Sequence, residues 1–151
     1  VLYLDEIKIS KSMRLLMKKN KYEITYNRAF SEVVKSCAQV KRFGQSGTWI
    51  TPGLMNVYNI LHEQGHAHSV EIWDGTKLVG GLYGIDIGDI FCGESMFSKA
   101  SNSSKMALIY LSKELKKNNY KFIDCQVPTA HLASLGAKTI SRKDFLKYLE
   151  K

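Results

Sequence analysis

Ser69-Val70-Glu71-Ile72-Trp73-Asp74-Gly75-Thr76-Lys77-Leu78-Val79-Gly80-Gly81-Leu82-Tyr83-Gly84-Ile85-Asp86-Ile87 is the stretch that decides the fold. Its apolar residues recur every second position, as side chains do on the two faces of a strand. Asp74-Gly75 between two such runs is a hairpin signal, and a third run follows from Asp89 to Cys92. Residues 67–94 therefore read as an antiparallel meander. Gly80, Gly81 and Gly84 lie inside a strand pattern and do not lead from a strand into a helix, so they make no dinucleotide-type phosphate cradle. Their use is close backbone approach within the sheet.

Before the meander, Leu2 to Ile9 reads as a strand, and a short helix runs through Met13, Leu15, Leu16 and Met17 with Ser10 or Ser12 as its cap. Tyr22 to Tyr26 alternates as a strand, and Phe30 to Val40 repeats at helical spacing through Val33, Val34 and Cys37. Lys41 to Thr48 reads as a loop. Thr51-Pro52 then opens a helix that should bury Leu54, Val57, Tyr58 and Leu61 and stop near Gly65. After the meander come a helix from Met106 to Leu115 with lysines at its end, a strand from Tyr120 to Val127, a short helix from His131 to Leu135, and a last helix capped by Ser141. This order predicts an α/β (α+β) layer sandwich, a mixed sheet flanked by helices, and it is the order of the acetyltransferase (GNAT-type) superfamily.

At 151 residues and 44% hydrophobic, the chain suits one domain, 1–151, with a real core. No apolar run is long enough to span a bilayer and no signal-peptide pattern is present, which places the protein in the cytoplasm and away from membranes. The pattern of the first strand is already under way at Val1, so an upstream segment is expected. Cys37, Cys92 and Cys125 are odd in number and widely spaced, and read as reduced thiols. The net charge of +8 is unevenly spread: residues 1–45 carry ten Lys/Arg against four Asp/Glu, residues 46–95 one against six, and residues 96–151 eleven against four. Basic ends around an acidic middle suit a protein that holds a polyanion at its rim and presents carboxylates to a cation at its centre. An ordinary solvated surface would read the same way.

Three constellations could carry chemistry. His62-Glu63-Gln64-Gly65-His66 fits the helical His-Glu-x-x-His pattern of a zinc-dependent hydrolase, but zinc needs a third protein ligand, and Ser69 and Ile72 stand where the longer form of the pattern has Gly and His. The alternation after Ala67 also implies that the helix has ended, turning His66 away. On the late strand, Asp124 and Gln126 share a face amid apolar neighbours, and buried polar groups without partners cost kilocalories, so the pair is either a structural network or a site. In Cys92-Gly93-Glu94-Ser95-Met96-Phe97-Ser98, Glu94 leaves a strand among glycine and apolar residues; it is either an exposed loop acid or a carboxylate at the mouth of an apolar cleft.

Several segments together resemble one family. Thr48-Trp49-Ile50-Thr51, His62 through Ser69, Gly80-Gly81-Leu82-Tyr83-Gly84, Phe91 through Ser98, Ile123 through Val127 and Ala133-Ser134-Leu135-Gly136-Ala137 are similar to the bacterial leucyl/phenylalanyl-tRNA–protein transferases, in order and spacing, over nearly the whole chain. The family carries a similar His-Glu-x-Gly-His run without a metal. The resemblance implies an acetyltransferase-like catalytic domain, preceded in the family by a small N-terminal domain that residues 1–151 lack. It implies that the α-amino group of an N-terminal Arg or Lys attacks the ester joining Leu, Phe or Met to tRNA, marking the acceptor for N-degron degradation; a monomer without cofactor is the default expectation. Asp124 and Gln126 are then the catalytic pair, acting as a base or by positioning the amine. Leu82, Phe91, Met96 and Leu111 form the donor pocket, Trp49 stacks near the terminal adenosine, Glu94 meets the acceptor's cationic residue or reacting amine, and Ser98 completes the substrate-binding set. Arg14, Lys18, Lys19 and Arg42 meet tRNA phosphates. Two other classes remain as rivals besides the zinc hydrolase. An acetyl-coenzyme A transferase should carry a Gln/Arg-x-x-Gly-x-Gly/Ala loop, and none precedes Met106; a non-catalytic RNA-binding module would bind tRNA and transfer nothing.

Overall fold

The computed structural model describes residues 1–40 and 47–150. In chain order the elements are β1 (Leu2–Tyr3), α1 (Lys11–Lys18), β2 (Glu23–Tyr26), α2 (Phe30–Gln39), α3 (Pro52–Glu63), β3 (Ala67–Asp74), β4 (Lys77–Ile87), β5 (Ile90–Ser98), α4 (Ser103–Lys117), β6 (Phe122–Asp124), α5 (Ala130–Ser134) and α6 (Arg142–Leu149). The six strands form one sheet in the order β1-β6-β5-β4-β3-β2. Every pairing is antiparallel except β5 with β6, which is parallel because α4 carries the chain back between them.

The helix starts follow from local chemistry. Ser10 accepts a hydrogen bond from the N–H of Met13, Thr51 from Leu54 with Pro52 in the first helical position, Thr129 from Leu132, and Ser141 from Asp144. The β3–β4 hairpin turns on Gly75-Thr76, one residue later than the Asp74-Gly75 reading, with Gly75 left-handed at φ 59°.

Helices cover both faces. α4, with Met106, Leu108, Ile109, Leu111 and Leu115, packs with Met13 of α1 on Val70, Ile72, Leu82 and Phe91 of the sheet. α2 and α3 cover the other face, where Phe30, Val33, Val34 and Tyr58 meet Tyr83 and Phe97. α6 lays Phe145 and Tyr148 on Phe122 of β6. Val57 does not join the core as its helical spacing promised; it is 48% exposed on the outer side of α3.

Three strand ends correct the sequence reading. The strand expected over residues 2–9 is paired only at Leu2 and Tyr3, because its partner β6 offers only Ile123 and Phe122. Leu4, Ile7 and Ile9 keep their apolar contacts without a ladder. The strand expected over 120–127 is only Phe122–Asp124, since Gln126 turns left-handed at φ 58°. Asp124 and Gln126 are therefore not two positions of one strand face. Conversely β5 does not stop at Cys92 but runs to Ser98, absorbing Gly93 and Glu94 through a bulge. Its pairing with β4 passes from Tyr83 opposite Ser95 to Gly84 opposite Gly93, leaving Glu94 as the extra residue. Glycine is required at 84, where a Cβ would collide with the carbonyl oxygen of Cys92 and the ring of Phe91.

Candidate active site

β5 and β6 share only three rungs, Ile90–Phe122, Phe91–Ile123 and Cys92–Asp124. Beyond the last one β5 continues with its bulge while the other strand turns aside at Gln126, so the sheet splits. The split is a cleft of about 510 Å3. Its floor is apolar: Leu82, Phe91, Met96, Leu108, Leu111 and Ile123 line it from β4, β5, α4 and β6. Trp49 stands at one wall, 45% exposed. Glu94 and Ser95 contribute from β5, and Gln126, Thr129, His131 and Leu132 from the segment that follows β6. Of the residues the sequence singled out for substrate, Leu82, Phe91, Met96, Leu111, Trp49 and Glu94 thus come together.

Glu94 is held by α3. The hydroxyl of Tyr58 donates to its Oε2 at 2.7 Å, and burial and this carboxylate push the Tyr58 phenol well above the ordinary tyrosine range. Tyr58 packs edge-on against Tyr83 with ring centroids 4.9 Å apart. The Tyr83 hydroxyl is buried beside that of Tyr58, and burial pushes its pKa up as well. Two protonated phenols therefore lie beside one carboxylate, and the bulge explains how a strand residue reaches them: an extra residue re-aims the side chains around it. The sequence reading missed Tyr58 as a site residue, having read it as one more apolar position of α3.

Asp124 and Gln126 meet differently from the expected side-chain pair. The backbone N–H of Gln126 donates to Asp124 Oδ1 at 2.9 Å. This local bond fits the left-handed turn that ends β6, so Asp124 fixes the backbone that aims Gln126. Gln126 lines the cleft, whereas Asp124 lines an adjoining hollow of about 560 Å3 that shares Cys125, Gln126, Val127, Thr129 and Leu132 with it. Neither residue is sealed in core.

Neither Cys92 nor Cys125 offers a thiolate nucleophile. Burial, then the charges of Asp124, Glu94 and Asp86, pushes Cys92 up to about 11. Burial likewise raises Cys125, although that thiol lines the cleft. A protonated thiol is a poor nucleophile at neutral pH.

Other expected residues lie elsewhere. Ser98 is off the cleft: its hydroxyl bonds the Ala100 carbonyl at 2.7 Å and Ser103 Oγ at 2.8 Å and accepts from the Ser104 N–H at 3.4 Å, which fastens the start of α4. Arg14, Lys18 and Lys19 are exposed on or just after α1, on the α4 side of the sheet. Arg42 lies outside the described residues. The zinc pattern is broken in space, since α3 ends at Glu63 and His66 follows the left-handed Gly65. His62 Nδ1 bonds the Ala67 carbonyl at 2.8 Å and its ring stacks on Phe30 at 4.2 Å. Among the described residues no three His, Cys, Asp or Glu side chains form a group that could hold a metal ion, and no helix is long and apolar enough to cross a membrane.

With this geometry in place, comparison with known proteins gives concordant results. The family model described as leucyl/phenylalanyl-tRNA protein transferase matches residues 1–150. Leucyl/phenylalanyl-tRNA–protein transferases of Flavobacterium johnsoniae and Flavobacterium psychrophilum are 55% and 54% identical over 150 and 151 residues, covering 99% and 100% of this chain and 71% and 72% of theirs. Among solved structures, a ribosomal-protein-alanine N-acetyltransferase from Brucella melitensis superposes with a TM-score of 0.57 at 13% identity, over 81% of this chain and 94% of that one. An aminoglycoside acetyltransferase from a soil metagenomic sample gives 0.54 at 11% identity, over 88% and 90%. At such identities these structures establish the acetyltransferase-like fold.

Proposed function

We propose, from the fact that this chain belongs to the leucyl/phenylalanyl-tRNA protein transferase family and is an aminoacyltransferase, that it moves Leu, Phe or Met from tRNA to the N-terminal Arg or Lys of an acceptor protein. In this reading it tags acceptors for N-degron degradation, working in the cytoplasm as a monomer, with aminoacyl-tRNA as substrate and no cofactor. The observation that carries it is the split between β5 and β6, an apolar pocket with a carboxylate and an amide side chain on its walls.

The residues present suit the chemistry. The donor side chain enters between Leu82, Phe91, Met96 and Leu111, an apolar space without a charge at its floor. The terminal adenosine stacks on Trp49, a contact worth roughly 1–3 kcal/mol per base. Glu94, held by Tyr58 through one oxygen, receives the cationic acceptor with the other. The attacking amine must shed a proton, and its free pKa of about 7.7–8.0 leaves much of it charged at neutral pH. Asp124 Oδ1 is taken up by the Gln126 backbone, and Oδ2 has no hydrogen bond among the described residues. Asp124 therefore acts by setting the turn, by taking the proton through Oδ2, or both, while the Gln126 amide contacts the reacting groups. Nitrogen attacks the ester carbonyl, the carbon–oxygen bond to the ribose breaks, and the proton lost from nitrogen ends on the ribose oxygen. The ester is already activated, so no acyl-enzyme is needed and positioning supplies much of the rate.

The test is transfer of radiolabelled Leu or Phe from tRNA to a peptide beginning with Arg, compared with the same peptide beginning with Glu. Label should appear only on the first, and Asp124→Ala should slow its appearance at least a hundredfold, within the roughly 10²–10⁴-fold range of general acid–base groups. Equal labelling of both peptides would refute the acceptor reading, and undiminished transfer by Asp124→Ala would refute the catalytic assignment.

A further inference from the structure

β4 and β5, which floor the cleft with Leu82 and Met96, run on to a second hollow that the reaction as derived above leaves unused. It has a volume of about 540 Å3 and lies against α2, and lysines from three different parts of the chain line it: Lys35 of α2, Lys77 at the start of β4 and Lys99 just past the end of β5. The sequence hides this grouping, because Lys77 is the only Lys or Arg between residues 46 and 95. Lys99 is fixed by its own backbone, whose N–H donates to the Val79 carbonyl at 2.7 Å, and its Nζ lies 5.6 Å from the centre of the Phe97 ring. None of the three lysines forms an ion pair among the described residues. Glu32, the one acid among the described residues that line the hollow, stands three residues before Lys35 on α2 without an ion pair to it. Three cations against one carboxylate leave the hollow positive.

Met96 to Lys99 on one strand and Leu82 to Val79 on the other are each three residues apart, about 10 Å at roughly 3.3 Å per residue. The hollow therefore lies within a few nucleotides' reach of the donor pocket, on the face covered by α2 and by α3, into which Trp49 leads. Arg14, Lys18 and Lys19 lie on the other face, the α4 side. A polyanionic strand needs point charges within reach of successive phosphates, not a closed pocket of converging donors, and exposed lysine ammoniums supply them. An aminoacyl-tRNA brings such a strand, in the nucleotides that precede its aminoacylated terminal adenosine. We infer that Lys35, Lys77 and Lys99 hold phosphates of the tRNA acceptor strand next to its aminoacylated end, so that the strand leaves the cleft along β4 and β5 toward α2. This rests on the reading that the cleft receives the aminoacyl-adenosine end of tRNA.

The experiment measures the affinity of two hydrolysis-resistant ligands between 50 and 200 mM salt: tRNA carrying an amide-linked 3′-phenylalanine, and amide-linked phenylalanyl-adenosine, which has no phosphate. The proteins are the unaltered chain, the triple variant Lys35→Gln, Lys77→Gln and Lys99→Gln, the same three positions changed to Arg, and a charge-matched control. The control is Lys121→Gln, Lys143→Gln and Lys147→Gln, exposed positions just before β6 and on α6. Each phosphate contact contributes about 0.7–0.9 to the slope of log affinity against log salt. The glutamine variant should therefore lower the slope for tRNA by about 2.1–2.7, which shrinks the loss of affinity between the two salt concentrations by about 20–40-fold. The arginine variant should keep the slope, and affinity for phenylalanyl-adenosine should stay within about twofold throughout. A slope lowered by less than about 0.5, or lowered equally by the control, would overturn the phosphate assignment, and binding of phenylalanyl-adenosine would then leave the cleft reading intact. Failure of phenylalanyl-adenosine to bind the unaltered protein would overturn the cleft reading and this inference together.

Discussion

Replacing Glu71 with glutamine exchanges one oxygen for an NH2 group and leaves the shape of the side chain unchanged. Glu71 is fully buried on β3. Its Oε2 accepts from Thr25 Oγ1 at 2.6 Å and from the Arg28 N–H at 3.4 Å, and its Oε1 accepts from Ser69 Oγ at 2.5 Å and from the Ala29 N–H at 3.4 Å. The Thr25 hydroxyl in turn accepts from Trp73 Nε1 at 2.8 Å, so its proton is committed to Glu71. Both oxygens therefore face only donors. However the amide is turned, its NH2 points at a hydroxyl and at a backbone N–H that cannot reverse its role. An unsatisfied buried donor costs about 1–3 kcal/mol, and the surviving bonds lose the strength of charge assistance. Together these destabilise by about 2–4 kcal/mol. For a chain of this size that lowers the melting temperature by roughly 4–16 °C, at about 2–4 °C per kcal/mol. Thermal and urea unfolding of Glu71→Gln measure it directly. A change within about 0.5 kcal/mol, the ordinary range of a surface substitution, would show that this carboxylate does not pin the turn between β2 and α2.

Other outcomes follow from the same geometry. Tyr58→Phe removes the hydroxyl that holds Glu94 and leaves the ring packing on Tyr83; kcat/KM for the acceptor peptide should fall about tenfold, the size of one charge-assisted hydrogen bond, while that for aminoacyl-tRNA changes less than threefold. Leu111→Phe narrows the floor of the cleft and should cut transfer of Phe relative to Leu by at least about tenfold, since one methylene's worth of space is already worth 10-fold or more in a tight pocket; an unchanged ratio would remove Leu111 from the donor pocket. His68 Nε2 lies 2.7 Å from Asp86 Oδ2, and that bond raises the His68 pKa above its ordinary 6.5. The sign follows: the pair stabilises fully below pH 6.5 and its contribution is lost as pH rises through the raised value, so Asp86→Asn should destabilise more at pH 6 than at pH 8.5 in urea titrations.

Where local chemistry sets the structure, the sequence was readable. Thr51-Pro52 and Ser141 mark helix starts by supplying a cap, and the period of two across residues 69–87 marks a half-covered sheet. The ends of β1, β5 and β6 were not readable, because they depend on where a partner strand stops and not on the residues' own preferences. The bulge at Glu94 is likewise a property of two strands in register, invisible along either one. Tyr58 illustrates the same limit within the site. Its spacing with Leu54 and Leu61 is that of a core residue, which it is, and only the arrival of Glu94 from 36 residues away turns its hydroxyl to use. Leu82, Phe91 and Met96 lie in contiguous segments that carry the resemblance, whereas Leu111 of α4 meets them only in the fold, where all four line one cavity.

The split itself links the fold to the chemistry. A sheet interior satisfies its backbone by pairing, so opening a pocket between two neighbouring strands leaves N–H and C=O groups facing the gap. Past Cys92 the β6-facing edge of β5 has no strand partner, and the chain that should have paired with it has been turned away by the Asp124–Gln126 bond. That stretch of β5 is held in place by its pairing with β4 on the other side. One local bond at the end of β6 therefore ends the pairing where the pocket begins and turns Gln126 to its wall. This is a physical reason for a short strand and a left-handed glutamine to stand where regular pairing would otherwise have continued.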